Sequence, residues 1–275
     1  MSATEDKINQ VVDAATRYGD KSVIALAGVP GTGKSFLGRE AADRIATLPE
    51  MVREMQFHPS LTYDQFIEGL RIDADGATVF EDGLFLEWND FALADESHTY
   101  VFLIEELTRT NVPAVIGELM TYVEHRDRHF DTLYARRRVS VAKNLRIIAT
   151  YNPTDRSALN LDTALLRRLR IVQFPPDTGQ LEEMLAPPRT SLSPAAIAAL
   201  KQLFEECQKA HGADFASAMP FGHGIFAEVQ DERPDLYDLW NERIGPMLRR
   251  PLVEPHPFTG TILAHYPWTD PHFEA

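Results

Sequence analysis

The segment Gly28-Val29-Pro30-Gly31-Thr32-Gly33-Lys34-Ser35 follows directly on the apolar run Val23-Ile24-Ala25-Leu26-Ala27, and that junction restricts the chain to a narrow set of folds. A glycine-rich turn between a buried strand and a helix is the arrangement of a phosphate-binding loop. Its glycines let successive backbone N–H groups turn inward onto phosphate oxygens. Lys34 would reach the β- and γ-oxygens of a nucleotide, and the Ser35 hydroxyl would hold Mg²⁺. A helix starting at Lys34 adds the positive end of its dipole. The expected nucleotide-binding stretch is therefore residues 28–36, ending at Phe36.

The pattern around this loop predicts an α/β domain. Ile8, Val11, Val12 and Ala15 recur at helical spacing ahead of it. Phe36, Leu37 and Ile45 mark the helix after it, and residues 51–57 read as the next strand. Asp75-Gly76 suggests a hairpin inserted over 71–84. The short apolar run 99–104, bounded by charge, suits a fully buried parallel strand. A helix is expected over 111–122, with Pro113 in its first turn. A second hairpin over 129–141, a strand over 145–151, a short helix over 161–168 and a last strand over 170–174 complete the series. Only helices are expected beyond Pro175-Pro176, over 180–185, 194–208 and 234–248. The domain boundary is placed there: an α/β nucleotide-binding domain over 1–176, and a helical domain with a C-terminal tail over 177–275. The tail, 251–275, has prolines and aromatics but little periodicity.

A chain of 275 residues with 44% hydrophobic content has ample material for a core. Its net charge of -14 argues against a generally basic nucleic-acid surface, while leaving room for a local basic channel between subunits. Arg136-Arg137-Arg138 on the second hairpin reads either as a solvated surface or partner contact, or as a strip facing nucleic acid. The single cysteine, Cys207, excludes an internal disulfide framework and a cysteine-based zinc site, which fits a reducing cytoplasm. Residues 1–20 lack the uninterrupted apolar core of a secretory signal. No apolar run is long enough to span a membrane as a helix.

Hydrolysis needs an acid near Mg²⁺ and a group that orients water. Glu105 and Glu106 follow a predicted strand, and ligands of open parallel sheets collect at the carboxyl ends of strands. Asn152 ends another predicted strand. Its amide is placed to position water, or else Asn152-Pro153 is turn chemistry. Arg167 and Arg168 either complement a helix dipole or reach a neighbouring subunit's nucleotide as an arginine finger.

The series 28–35, Val101-Phe102-Leu103-Ile104-Glu105-Glu106-Leu107-Thr108-Arg109-Thr110-Asn111, Ile148-Ala149-Thr150-Tyr151-Asn152-Pro153-Thr154-Asp155-Arg156-Ser157 and Leu161-Asp162-Thr163-Ala164-Leu165-Leu166-Arg167-Arg168 resembles the AAA+ ATPase superfamily. Within it, the chain is most similar to McrB-type motor subunits of modification-dependent restriction systems, in one broad clade with MoxR-type ATPases. Gln56-Phe57-His58-Pro59-Ser60 with Tyr63, Phe66 and Glu68-Gly69-Leu70 resembles that group's segment after the second strand. Phe221-Gly222-His223-Gly224-Ile225-Phe226, Trp240 and Ile244-Gly245-Pro246-Met247-Leu248 resemble its helical lid.

The resemblance implies a P-loop AAA+ fold, a three-layer αβα parallel-sheet domain followed by a small all-helical lid. It also implies a ring, expected to be hexameric, hydrolysing nucleotide between subunits. Carried onto this sequence, it makes Glu106 the water-polarising carboxylate and Glu105 the metal-side acid beside Ser35. Asn152 becomes the sensor and Arg167 or Arg168 the finger. Asp155 and Arg156, like Arg109 and Asn111, match stretches bordering the subunit interface. Gly222 and His223 match the lid segment that approaches the nucleotide, although His223 serves equally as a cap.

Glu105 stands where aspartate is usual, Leu166 where arginine is, and Leu169 where phenylalanine is. Tyr151 and Pro153-Thr154 lean toward the MoxR-type sensor. McrB-type proteins prefer GTP and most relatives use ATP; ATP is the favoured reading here, with Mg²⁺. Because the loop begins within the first thirty residues, target recognition and any nuclease are expected on separate polypeptides, with no membrane involved. A protein-remodelling ATPase and a slow, nucleotide-gated assembly module are the rival expectations.

Overall fold

The computed structural model describes residues 2–155, 161, 163–186, 190, 192–210, 221–230 and 236–248. Arg156, Asp162 and the tail 251–275 lie outside them. The chain divides into two compact units. One comprises Lys7–Ala27 and Ser35–Gln173, and the other Met1–Asp6, Gly28–Lys34 and Phe174–Ala275.

The first unit is built on a five-stranded sheet: β1 (Val23–Ala27), β2 (Val52–Gln56), β5 (Tyr100–Glu105), β8 (Leu145–Tyr151) and β9 (Leu169–Gln173), in the order β2-β5-β8-β1-β9. Every pairing is parallel. Every residue of β1 and β5 is buried, and all but one of β8, whereas the edge strands β2 and β9 are largely exposed. Uninterrupted burial is what a parallel strand covered on both faces requires, and it explains the absence of polar alternation in Val101-Phe102-Leu103-Ile104. Phe57, Phe66, Phe85 and Phe102 meet at ring-centroid distances of 5.3 to 5.9 Å. Before the sheet runs α1 (Ala3–Tyr18), with Ile8, Val11 and Ala15 buried. The helix after the phosphate loop is α2 (Lys34–Ile45).

Two hairpins interrupt this pattern, both within a few residues of the expected positions. After the single turn α3 (Tyr63–Phe66), β3 (Glu68–Ile72) pairs with β4 (Thr78–Asp82). Further on, β6 (Phe130–Asp131) pairs with β7 (Arg138–Val139). The hairpins are tied together. The carboxylate of Glu68, 1% exposed, accepts the backbone N–H groups of Tyr134 and Ala135. Arg137 reaches Asp82 of the first hairpin at 3.1 Å and Asp90 at 2.9 Å. Arg137 is thus structural, while Arg136 and Arg138 remain exposed.

Two features depart from the sequence pattern. A helix over 84–94, α4 (Leu84–Ala94), was not anticipated because Leu84, Phe85, Leu86, Trp88, Phe91 and Leu93 leave no clean polar stripe. Asn89 on it is fully buried and satisfied, donating to Ser140 O and accepting from Ala142 N–H. The single helix expected over 111–122 is two helices, α5 (Val112–Ile116) and α6 (Leu119–Glu124). The break is at Gly117, whose φ of 55° and ψ of -130° suit glycine alone. A Cβ there would stand 3.1 Å from the Tyr63 ring, whose hydroxyl donates to Glu118.

Arg126 follows α6 and is 6% exposed. Its guanidinium donates to the carbonyls of Val123, Ala142, Leu145 and Gly19. It therefore closes backbone groups on three segments of the unit, and burial pushes its pKa down to about 10.

The second unit is helical beyond Phe174: α8 (Thr178–Leu185), α9 (Pro194–Ala210), a 3₁₀ helix His223–Gln230, α10 (Leu236–Asp238), a π-helical stretch Leu239–Ile244 and α11 (Gly245–Leu248). Ala196, Leu200, Leu203 and Cys207 put a helical stripe of α9 into a core shared with Leu181, Leu185, Phe221, Phe226, Trp240 and Ile244. Asp177 caps α8 by accepting the Gln180 N–H. Glu183 on α8 accepts bonds from Ala3 N–H and the Thr4 hydroxyl.

Candidate functional site

The end of β5 and the start of α2 supply the acidic centre. Glu105 is the last residue of β5 and 8% exposed. Its Oε2 accepts the Ser35 hydroxyl at 2.7 Å and the Thr150 hydroxyl at 2.5 Å. Its Oε1 is buried without a hydrogen-bond partner. The Glu105 carboxylate thus touches the Ser35 hydroxyl directly. A buried anionic oxygen left open beside a hydroxyl is a donor set of the hard, oxygen-only kind that suits Mg²⁺. The residues therefore fit that cation. Among the described residues no cluster of three or more His, Cys, Asp or Glu offers another metal site.

Glu106 turns sharply away from the strand. Its φ of 58° and ψ of 45° place a non-glycine residue in the left-handed region, at a cost of about 1 kcal/mol. Two bonds hold it there: its N–H donates to Thr150 Oγ1 at 3.1 Å, and its carbonyl accepts from Arg109 N–H. Its carboxylate is partly exposed and accepts from Arg109 Nε at 3.1 Å. That contact raises the already high pKa of the Arg109 guanidinium. Thr150 is a site residue that sequence reasoning missed. It belongs to no loop or acidic motif. The one available signal was register: one position beyond the Ile104 and Ala149 pair, Thr150 falls beside Glu105.

Asn152 lies just past β8 and is 6% exposed. Its Oδ1 accepts from Thr154 N–H at 3.0 Å and from the Thr154 hydroxyl at 2.7 Å, and its Nδ2 donates to Asp155 at 2.9 Å. The side chain performs the turn chemistry that Asn152-Pro153 suggested. Asp155 also lies 3.8 Å from Arg109, so the turn and the acidic pair share a charged neighbour.

Arg167 and Arg168 follow α7 (Thr163–Leu166) and both face Glu124. They are not equivalent. Arg168 has a side chain 14% exposed; it pairs with Glu124 at 3.0 Å and donates to Ala164 O, an orphan carbonyl of the helix end. Arg167 contacts Glu124 at 3.3 Å with 63% of its side chain exposed.

In the second unit, residues 28–34 form the loop itself. Gly31 and Gly33 both have φ of 78°. Thr32, 1% exposed, donates to Val29 O, and Lys34 Nζ donates to the same carbonyl at 2.9 Å. Phe36, counted with the loop in the sequence, is 65% exposed in the first unit. His223 is buried, and its Nδ1 accepts the Asp177 N–H at 3.4 Å. Burial lowers its pKa below the ordinary histidine value, against the opposing effect of Asp177.

Similarity to known proteins agrees with the α/β fold. A family model described as AAA domain (dynein-related subfamily) matches residues 23–169. Over 176 residues the chain is 34% identical to the type IV methyl-directed restriction enzyme EcoKMcrB subunit of Escherichia coli, covering 60% of this chain and 38% of that one. Over 184 residues it is 26% identical to the type II restriction enzyme BsuMI component YdiS of Bacillus subtilis, covering 51% and 53%. The chain thus spans about half or less of the length of these relatives.

Proposed function

This chain belongs to the dynein-related subfamily of AAA domains, and on that premise we propose that it is a ring-forming nucleoside triphosphatase, using ATP with Mg²⁺, that drives or regulates a nuclease or other DNA-processing partner. The observation that carries the hydrolytic reading is Glu105, which meets the Ser35 hydroxyl while keeping a second, unpartnered buried oxygen. Residues 1–176 serve as the nucleotide-binding domain and 177–275 as its lid.

In this reading residues 28–36 hold the triphosphate. Ser35 and Glu105 would hold Mg²⁺, which would supply charge neutralisation to the transferring phosphoryl group. Glu106 takes a proton from the attacking water as its oxygen bonds to the γ-phosphorus and the bond to the bridging oxygen breaks. Asn152 helps orient that water once its turn contacts exchange for the γ-phosphate. Arg167, the more exposed of the pair, is the finger for the neighbouring subunit, and Arg168 fixes the turn that presents it. A finger of this kind contributes roughly 10³ to 10⁵ in rate. His223 lines the nucleotide side of the lid. A hexamer in the cytoplasm accommodates these roles.

The partner class rests on the relatives, both of which are named as components of restriction enzymes. Glu106→Gln is expected to retain nucleotide binding and lose turnover by at least a hundredfold; normal hydrolysis in that variant refutes the assignment. ATP and GTP are compared in the same assay. Specific activity should rise with protein concentration and lose that dependence in Arg167→Ala. Stimulation by DNA or by a co-purifying nuclease supports the restriction reading. Stimulation by a protein client alone replaces it with remodelling.

A further inference from the structure

The segment Gly222-His223-Gly224 lies backbone against backbone on the tip of the phosphate loop, within the second unit. Gly222 N–H donates to Pro30 O at 2.7 Å, and Gly224 N–H donates to Gly31 O at 2.7 Å. At Gly222 a Cβ would stand 2.3 Å from Gly31 O and 2.4 Å from its carbonyl carbon, and 2.5 Å from Thr32 N. Those are main-chain atoms that cannot swing aside. At Gly224 the nearest atom would be Gly31 O at 2.8 Å, a milder conflict. No conformational requirement need be invoked for these two glycines, because close approach alone demands them. Phe221, fully buried in the helical core, and His223, bonded to Asp177 N–H, anchor the segment on either side of Gly222.

The two accepting carbonyls are significant because a trans peptide directs its C=O and N–H to opposite sides. Fixing Pro30 O fixes the Gly31 N–H, and fixing Gly31 O fixes the Thr32 N–H, in each case directed opposite to the carbonyl that is held. We propose that Gly222 and Gly224 are positioning residues of the nucleotide site, a backbone latch that holds the outer carbonyls of the phosphate loop so that its amides are preset for a triphosphate. The inference rests on the nucleotide-binding reading and adds a residue role to it. Each latched peptide accepts a bond on one side and would donate to phosphate on the other. Hydrogen bonds in such a chain polarise one another, so phosphate binding and latching strengthen together. The coupling is reciprocal: nucleotide stabilises the latch, and the latch raises nucleotide affinity.

Amide hydrogen exchange and binding of the imido analogue of ATP or GTP with Mg²⁺ test this. In the nucleotide-free wild type, the amides of Gly222 and Gly224 should exchange at least a hundredfold more slowly than in an unstructured chain, and more slowly again with the analogue bound. Gly224→Ala should weaken analogue binding about tenfold and raise KM by a similar factor, with kcat at saturation changed less than twofold. Gly222→Ala should do the same more severely. Leu203→Ala, which loosens the helical core without touching the loop, is the control for general destabilisation. Rapid exchange at both glycines, wild-type affinity in folded Gly224→Ala, or an equal affinity loss in Leu203→Ala overturns the latch. Failure of the wild type to bind either analogue, with Lys34→Ala no different, overturns instead the nucleotide reading beneath it.

Discussion

Replacing Thr150 with valine changes one hydroxyl for a methyl of nearly the same size, yet it should disturb both acidic residues. The hydroxyl donates to the Glu105 carboxylate at 2.5 Å and accepts the Glu106 N–H at 3.1 Å. A hydrogen bond to a charged group contributes about 1.5 to 3 kcal/mol, and a neutral one about 1 kcal/mol. Valine removes both and leaves a buried carboxylate oxygen and a part-buried N–H without these partners. The expected loss is about 3 kcal/mol, a factor of roughly 150 in the folding equilibrium. Glu106 would also lose a tie that holds it in the left-handed region, so turnover should fall more than nucleotide binding. Thr150→Ser keeps the hydroxyl and should retain most of both. Urea unfolding of the two variants, alongside nucleotide binding and turnover at saturation, makes the comparison. If Thr150→Val unfolds within 0.5 kcal/mol of the wild type and hydrolyses at the same rate, the hydroxyl bridge is irrelevant and the reasoning fails; the threshold is the scatter expected of an inconsequential substitution.

Arg126→Met keeps the aliphatic bulk but strips donors from the carbonyls of Val123, Ala142, Leu145 and Gly19; a loss of about 3 kcal/mol or more is expected by urea unfolding. His223 should make the helical unit acid-sensitive. Its folded pKa lies below that of the unfolded chain, so the unfolded state binds more protons. Stability should therefore fall as pH drops through the unfolded value of about 6.5, levelling off below the folded one. His223→Gln should flatten that slope in unfolding measured between pH 5 and 8. Burial pushes the Cys207 thiol up to about 12, so a thiol reagent at pH 8 should modify it only as fast as the helical core opens; rapid stoichiometric labelling of the folded protein would contradict this.

The centre of the sheet was legible because β1 and β5 are continuous apolar runs, and Val101-Phe102-Leu103-Ile104 admits few other readings; the edge strands β2 and β9 carry charged residues and have no such run. The helices were legible where one face alone is apolar, as in α1 and α9. Where a helix is apolar nearly all round, as α4 is, periodicity carries no signal and the element was missed. The break at Gly117 was written in the chain as a glycine inside a helical pattern, but such a glycine does not by itself announce the positive φ it adopts. The site divides the same way. Gly28 to Ser35, Glu105 and Glu106 are contiguous motifs and announce themselves. Thr150 and the inequality of Arg167 and Arg168 depend on register and on Glu124, contacts that no local pattern encodes. The glycines of the lid segment could be read from sequence only as a resemblance, since their reason is the backbone lying against them.

The bond between the two hairpins also constrains how such a chain can change over generations. Deleting β3 and β4 would strand the N–H groups of Tyr134 and Ala135, which lean on Glu68, and would leave Arg137 with Asp90 alone. Deleting β6 and β7 would leave Glu68 and Asp82 as charges without their donors. Each insertion therefore supplies partners that the other uses, so removing one alone changes the surroundings of Glu68 and Arg137 in the one that remains.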